Sequence, residues 1–314
     1  MFQRFHQALK PLLKGLGFEL ELRHRGALRL GVWRRRWSQK GKVGKLVLAP
    51  GLGDSPLTFI NVIIPLLPLI QKKYSELVVF DYPGFGGFLS LEKPFHSIDS
   101  LFDVTNEVFL DLKPHTVIAH SLGGWVTGAF LQKGMIRKIK PQKTILLSPA
   151  GFFPDPDDFV TMAFRFRDAF EFDFKSFKKN IFAKQPLWFP LIQKEFETFF
   201  SKEEIKEFLT SIKRKHFLND RIGQFENEAW LIWGESDQLI HAKHIHDWME
   251  ALTSQVMVKN KNIHGLLLPK VGHLPHVERP VVTSVILGQI LLNQTRFLEK
   301  PKHLRRFWNP VEPK

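Results

Sequence analysis

The sequence predicts an α/β chain: a mostly parallel central sheet with helices on both faces, an antiparallel hairpin at its start and an inserted helical cap. Three observations carry this expectation. From Lys45 onward, short unbroken apolar runs alternate with helix-length segments, the pattern of parallel strands covered on both faces. Before them lies a strict apolar–polar alternation, and between the fourth and fifth runs lies a phenylalanine-rich stretch without a convincing buried strand.

Taken in order, Phe18, Leu20 and Leu22 alternate with Glu19, Glu21 and Arg23. After a turn at Arg25-Gly26, Leu28, Leu30 and Val32 alternate again, which reads as a two-stranded hairpin. The six buried runs are Leu46–Ala49, Leu77–Phe80, Thr116–Ala119, Thr144–Leu147, Trp230–Trp233 and Leu266–Leu268. Residues 151–225 hold 17 of the 30 phenylalanines. Within them Phe159, Ala163, Phe166, Phe170, Phe174, Phe177 and Ile181 step by three or four along one helix face. Residues 170–174 also alternate at period two, so a strand there stays open. The expected organisation is a basic segment and hairpin over 1–43, a core over 44–150 and 226–298, a cap or lid over 151–225, and a basic tail over 299–314.

Composition narrows the function classes. No cysteine occurs among the 314 residues, which excludes disulfides, thiolate metal sites and a cysteine nucleophile. The net charge of +14 is confined to the ends: residues 1–45 carry +10, residues 296–314 carry +4, and 46–295 balance 27 basic against 27 acidic residues. No nucleic-acid reading motif accompanies that charge, so nucleic acid is not an expected partner. Trp33-Arg34-Arg35-Arg36-Trp37 and Arg305-Arg306-Phe307-Trp308 interleave cations with aromatics, and Phe2, Phe5, Leu9, Leu12, Leu13 and Leu16 approximate a helical stripe. Two readings stay open: docking on an anionic membrane surface, or a solvated basic hairpin and tail. The longest apolar run, Phe59 to Ile70, is 12 residues, short of the roughly 20 that span a bilayer. No signal-peptide pattern opens the chain, so the expected location is cytoplasmic, with peripheral membrane attachment as an option.

The chemistry concentrates at the ends of the buried runs. Val117-Ile118-Ala119 leads into His120-Ser121-Leu122-Gly123-Gly124, a strand that turns through a serine into a helix with two glycines in its first turn. Such a tight bend presents a nucleophile and needs small neighbours. The Leu122 N–H then lies at a helix N-terminus, and the Leu52 N–H, in the glycine-containing loop Pro50-Gly51-Leu52-Gly53, is the matching second donor for an oxyanion. A serine hydroxyl needs a base, and the base an orienting acid. Asp237 follows the run Trp230–Trp233, and His273 follows Leu266–Leu268, giving the chain order Ser, Asp, His. Glu235 and Asp155 are competing acids, His120 reads as a packing residue, and His276 as a positioning residue for the last loop. His241, His244 and His246 lack a completing carboxylate at ligand spacing, so neither a metal nor another cofactor is expected.

Together these residues resemble the α/β-hydrolase superfamily over 44–150 and 226–298, and Asp81-Tyr82-Pro83-Gly84-Phe85-Gly86 is similar to its D-x-P-G-x-G turn. Leu147–Gly151, Ile232–Gln238 and Gly272-His273…Glu278-Arg279-Pro280 look like the monoacylglycerol-lipase-like branch. The resemblance implies the α/β-hydrolase fold and a Ser121–His273–Asp237 triad with Leu52 and Leu122 at the oxyanion. The implied reaction is cofactor-independent cleavage of a small-molecule carboxylic ester, lipid-like, with an apolar acyl group lodged under the cap. C–C bond hydrolysis, acyl transfer or perhydrolysis would use the same triad, and a non-catalytic membrane-docked binding protein is the alternative of a different class. Pro50-Gly51 stands where most relatives have His-Gly, which leaves open how that loop is braced.

Overall fold

The computed structural model describes residues 10–26, 28–54, 56–85, 95–132, 141–155, 157–160, 174–219, 228–254, 263–299 and 306–311. Its strands are β1 (Glu19–Arg25), β2 (Leu28–Arg36), β3 (Lys45–Ala49), β4 (Glu76–Asp81), β5 (Thr116–His120), β6 (Lys143–Leu147), β7 (Glu228–Gly234), β8 (Ile263–Leu268) and β9 (Asn309–Val311). They form one sheet in the order β1-β2-β4-β3-β5-β6-β7-β8-β9. Strands β3 to β8, the six buried runs, are parallel. The hairpin β1–β2 is antiparallel and joins the sheet through an antiparallel β2–β4 pairing.

The unbroken apolar runs follow from two cores, one on each face. Within β3, Val47 and Ala49 feed one core while Leu46 and Leu48 feed the other. Strand β7 repeats this, with Leu231 and Trp233 on one side and Trp230 and Ile232 on the other. Alternate residues point to opposite faces and both faces are covered, so the strands carry long apolar runs, with most buried polar residues at their ends. Helices α1 (Ile60–Lys73) and α9 (Pro280–Leu291) cover one face. Helices α2 (Ile98–Leu112), α3 (Leu122–Gln132) and α7 (His244–Ser254) cover the other.

Between β6 and β7 lie α4 (Phe174–Ile181), α5 (Gln193–Phe200) and α6 (Glu203–Thr210), with no strand among the described residues of that segment. Phe174 is helical, while Ala163, Phe166 and Phe170 lie outside the described residues. So do Phe2, Phe5, Leu9, Gly86 and Arg305. The connection from β8 onward contains the single-turn α8 (Pro275–Glu278) before α9, and α10 (Arg296–Glu299) follows.

Both basic ends depart from the sequence expectation in physically informative ways. Strand β2 is flanked by β1 and β4, so the Trp33–Trp37 segment, read from the sequence as either membrane-docking or solvated, is half interior. Trp33 is fully buried and its Nε1 donates to Asp81 Oδ2 at 3.1 Å. Arg34 is buried as well: Nε pairs with Glu76 Oε1, Nη2 donates to Glu76 Oε2 at 3.0 Å and Nη1 to Glu21 Oε2 at 2.7 Å. At the other end, residues 309–311 are not a solvated tail but strand β9, antiparallel to β8. Three residues are too few for a periodic signal, and Pro310 is tolerated because β9 is the edge strand. Trp308 is buried beside it.

Candidate active site

Ser121 follows β5, the central strand, and α3 begins one residue later. Its φ is +49°, a left-handed conformation that a non-glycine residue adopts only when its surroundings impose it. The imposition is visible in the backbone: Ser121 N donates to Leu147 O at 3.0 Å, and Ser121 O accepts from Trp125 N at 3.1 Å and Ala150 N at 3.0 Å. Gly123 allows the bend to fit, since a Cβ there would come within 2.1 Å of Ala49 O.

The loops after β7 and β8 bring Asp237 and His273 to the same place. Nε2 of His273 lies 2.9 Å from Ser121 Oγ, and its Nδ1 lies 2.8 Å from Asp237 Oδ2. All three side chains are buried. The other carboxylate oxygen, Asp237 Oδ1, accepts the N–H groups of Leu239 and Ile240 at 3.0 Å each, which fixes the acid's orientation. The competing acids Glu235 and Asp155 are exposed, so the imidazole's partner is Asp237. Leu122 opens α3 and thus has its amide at the helix N-terminus. Leu52 sits in the loop after β3 and lines the same pocket as Ser121 and His273.

That pocket is apolar. It measures about 640 Å³ with its open mouth included, and residues 177–200 supply much of its apolar wall, Phe177, Ile181, Phe182, Trp188, Phe196 and Phe200 among them. The segment between β6 and β7 is also tied to the loops that carry Asp237 and His273. His273 N donates to Ile181 O at 2.6 Å and Gln238 N to Asn180 O at 3.2 Å, so the end of α4 holds both the His273 and the Asp237 loop.

The brace of the Pro50-Gly51 loop lies in residues whose joint role the sequence did not reveal. Asp54 is buried, and its Oδ2 accepts from Gly51 N at 3.4 Å and lies 2.8 Å from His120 Nδ1. On its far side, His120 Nε2 donates to the backbone carbonyl of His273 at 2.9 Å. His120 therefore joins the loop after β3 to the loop after β8, directly beneath the serine; it does more than pack. His276 completes the group, stacked on Phe59 with ring centroids 4.4 Å apart and its Nε2 3.3 Å from Asp54 Oδ2. Burial favours a protonated Asp54, but His276 and His120 more than offset it and hold the carboxyl well below the usual carboxylate range. Burial likewise pushes His276 down, toward its neutral form. One ligand atom from each of the three residues falls within 4.8 Å of the others, a spacing a cation could bridge. Of the helical histidines, His244 is taken by Asp247, with Nδ1 2.9 Å from Oδ2.

Glu278 forms a second brace. Its Oε1 accepts from Gly272 N at 2.9 Å, and its Oε2 from Ala183 N at 3.0 Å and Lys184 N at 3.2 Å. Burial outweighs these N–H groups and pushes its pKa up to about 7. The folded value exceeds the unfolded one, so this group's contribution to stability is fully present below the unfolded pKa near 4.5 and is lost as pH rises through about 7. Urea unfolding of the wild type and Glu278→Gln at pH 5 and pH 8 should differ in slope with pH. The wild type is expected to lose up to about 3 kcal/mol over this range from Glu278, and the variant to lack that component. Parallel pH profiles would reject it.

Comparisons with known proteins come down on the same architecture. The model of the alpha/beta hydrolase family matches residues 46–284. No curated protein sequence matches the chain. Among solved structures, a bacterial membrane phospholipase A described as a virulence factor superposes with a TM-score of 0.68 at 17% identity, covering 94% of this chain and 92% of that one. A carboxylesterase from Bacillus subtilis gives 0.62 at 17% identity, with 93% and 98% covered. The 2-hydroxy-6-oxo-6-phenylhexa-2,4-dienoate hydrolase of Rhodococcus sp. strain RHA1 gives 0.64 at 16% identity, with 88% and 99% covered. These likenesses are of fold.

Proposed function

Because the chain belongs to the alpha/beta hydrolase family, we propose that it is a serine hydrolase that cleaves carboxylic esters with an apolar acyl group. The observation that carries this reading is the Ser121–His273–Asp237 relay, with contacts of 2.9 and 2.8 Å, at the base of an apolar pocket. In the proposed mechanism His273 Nε2 takes the proton of Ser121 Oγ as the oxygen attacks the ester carbonyl, and Asp237 stabilises the resulting imidazolium. The N–H groups of Leu52 and Leu122 receive the oxyanion. Collapse expels the alcohol, which takes the proton from His273, and a water activated by the same imidazole releases the acid from Ser121.

The pocket lining favours an uncharged acyl group. No lysine or arginine lines it among the described residues. A dienoate of the kind named for the Rhodococcus enzyme carries a carboxylate, which in this pocket would lie buried without a cation. The same lining supplies the test. Each buried methylene contributes about 0.8 kcal/mol, so kcat/KM on p-nitrophenyl esters should rise about fourfold per added methylene until the pocket is full. A flat or falling series from acetate upward would contradict the pocket assignment. Failure of Ser121 to label with a fluorophosphonate would contradict the chemistry.

A further inference from the structure

The turn between α4 and α5 carries an apolar surface of which Leu187 and Leu191 serve neither the core nor the pocket at Ser121. One side of it is anchored: Phe189 is buried, packing on Phe182 and Phe196 with ring centroids 4.9 and 5.6 Å away. The other side faces outward, with Leu187 96% exposed, Leu191 72% and Trp188 39%. Pro186 and Pro190 restrict the backbone on either side of Trp188. Isolated exposed leucines need no explanation, but three large apolar groups within five residues on one rigid turn form a patch.

Two further observations say what the patch meets. First, Trp188 and Ile192 also line the pocket that reaches Ser121, so the patch adjoins that pocket. Second, Leu187 borders a neighbouring cleft whose rim carries the exposed cations Lys184, Lys270 and Arg279. Its one carboxylate, Glu278, is engaged by backbone N–H groups. Apolar side chains flanked by cations match an anionic lipid surface, with aromatic and aliphatic groups below the headgroups and cations among them. The basic hairpin is a poorer match, because Trp33 and Arg34 are spent in the interior.

We propose that residues 184–191, with Lys270 and Arg279, dock on the surface of an anionic lipid bilayer. On the ester-hydrolase reading, this places the mouth of the acyl pocket against the membrane, so an acyl chain passes from lipid to Ser121 without crossing water.

The test uses the full chain carrying Ser121→Ala, so that binding is read apart from any turnover and stands or falls independently of the hydrolase assignment. Sedimentation with vesicles of phosphatidylcholine and phosphatidylglycerol at 3:1 should show binding that weakens as NaCl rises. Leu187→Ser/Leu191→Ser should bind at least about tenfold more weakly while keeping the parent's thermal unfolding midpoint. Lys184→Glu/Lys270→Glu/Arg279→Glu should lose the preference for these vesicles over pure phosphatidylcholine, and this arm decides if the leucine variant fails to fold. Absence of binding at low salt overturns the proposal. Equal binding by parent and both variants also overturns it, since the docking surface then lies elsewhere. So does a concentration-dependent dimer that the leucine substitutions abolish, which makes the turn a self-association face.

Discussion

Ser121→Ala is expected to lower kcat for ester hydrolysis by about 10⁶-fold, the loss seen when the nucleophile of a Ser-His-Asp unit is removed. The substitution deletes one oxygen whose hydrogen bond is to His273 Nε2 at 2.9 Å, and leaves untouched the backbone bonds that set the bend. Alanine at φ +49° is strained much as serine is, so the fold should persist. What remains is catalysis by the oxyanion donors and by binding alone, about 10³–10⁴ over water. Steady-state turnover of a p-nitrophenyl ester, checked by active-site titration of the wild type, measures this directly. Retention of more than about one part in a hundred of wild-type kcat would remove Ser121 from the chemistry.

Asp237→Asn is expected to cost about 10⁴-fold in kcat with KM little changed. The size follows from how the carboxylate is held. Its Oδ1 already accepts from Leu239 and Ile240 N–H, so the asparagine oxygen is required there and the amide NH₂ must take the place of Oδ2. That NH₂ is a donor aimed at His273 Nδ1, which turns Nδ1 into an acceptor and puts the ring proton on Nε2. Nε2 then faces Ser121 Oγ with a proton and no lone pair, and the base is lost although the geometry is kept. Asp237→Ala removes the acid without adding a misdirected donor and is expected to cost a similar factor, about 10⁴ in kcat. An asparagine variant within tenfold of wild type would show that the acid is supplied elsewhere.

The sheet and the Ser121–His273–Asp237 geometry were legible because each rests on local signals. Strands covered on both faces leave unbroken apolar runs, and each of the three residues stands just past the end of one such run. Asp54, His120 and His276 were not legible as a unit, since they lie in three separate loop and strand-end positions and meet only in the folded state. The one available clue was the absence of the usual histidine before Gly51, which raised the question of a brace without pointing to its answer. Arg34 misled for a related reason: a basic residue in a basic run reads as solvated, and its partners Glu21 and Glu76 come from different strands. Strand β9 failed on length alone.

The bridge through His120 has a consequence for unfolding. It links residues 66 apart in sequence on one side and 153 apart on the other, so the reacting groups are held by contacts that no single segment can keep by itself. A partially opened form that frees the loop after β3, or the loop after β8, dissolves the relay even if the rest of the sheet survives. On the proposed chemistry, turnover is then expected only of the globally native state. Denaturation followed by residual activity should lose signal no later than denaturation followed by tryptophan fluorescence, and any gap between the two curves measures how far these loops open before the sheet does.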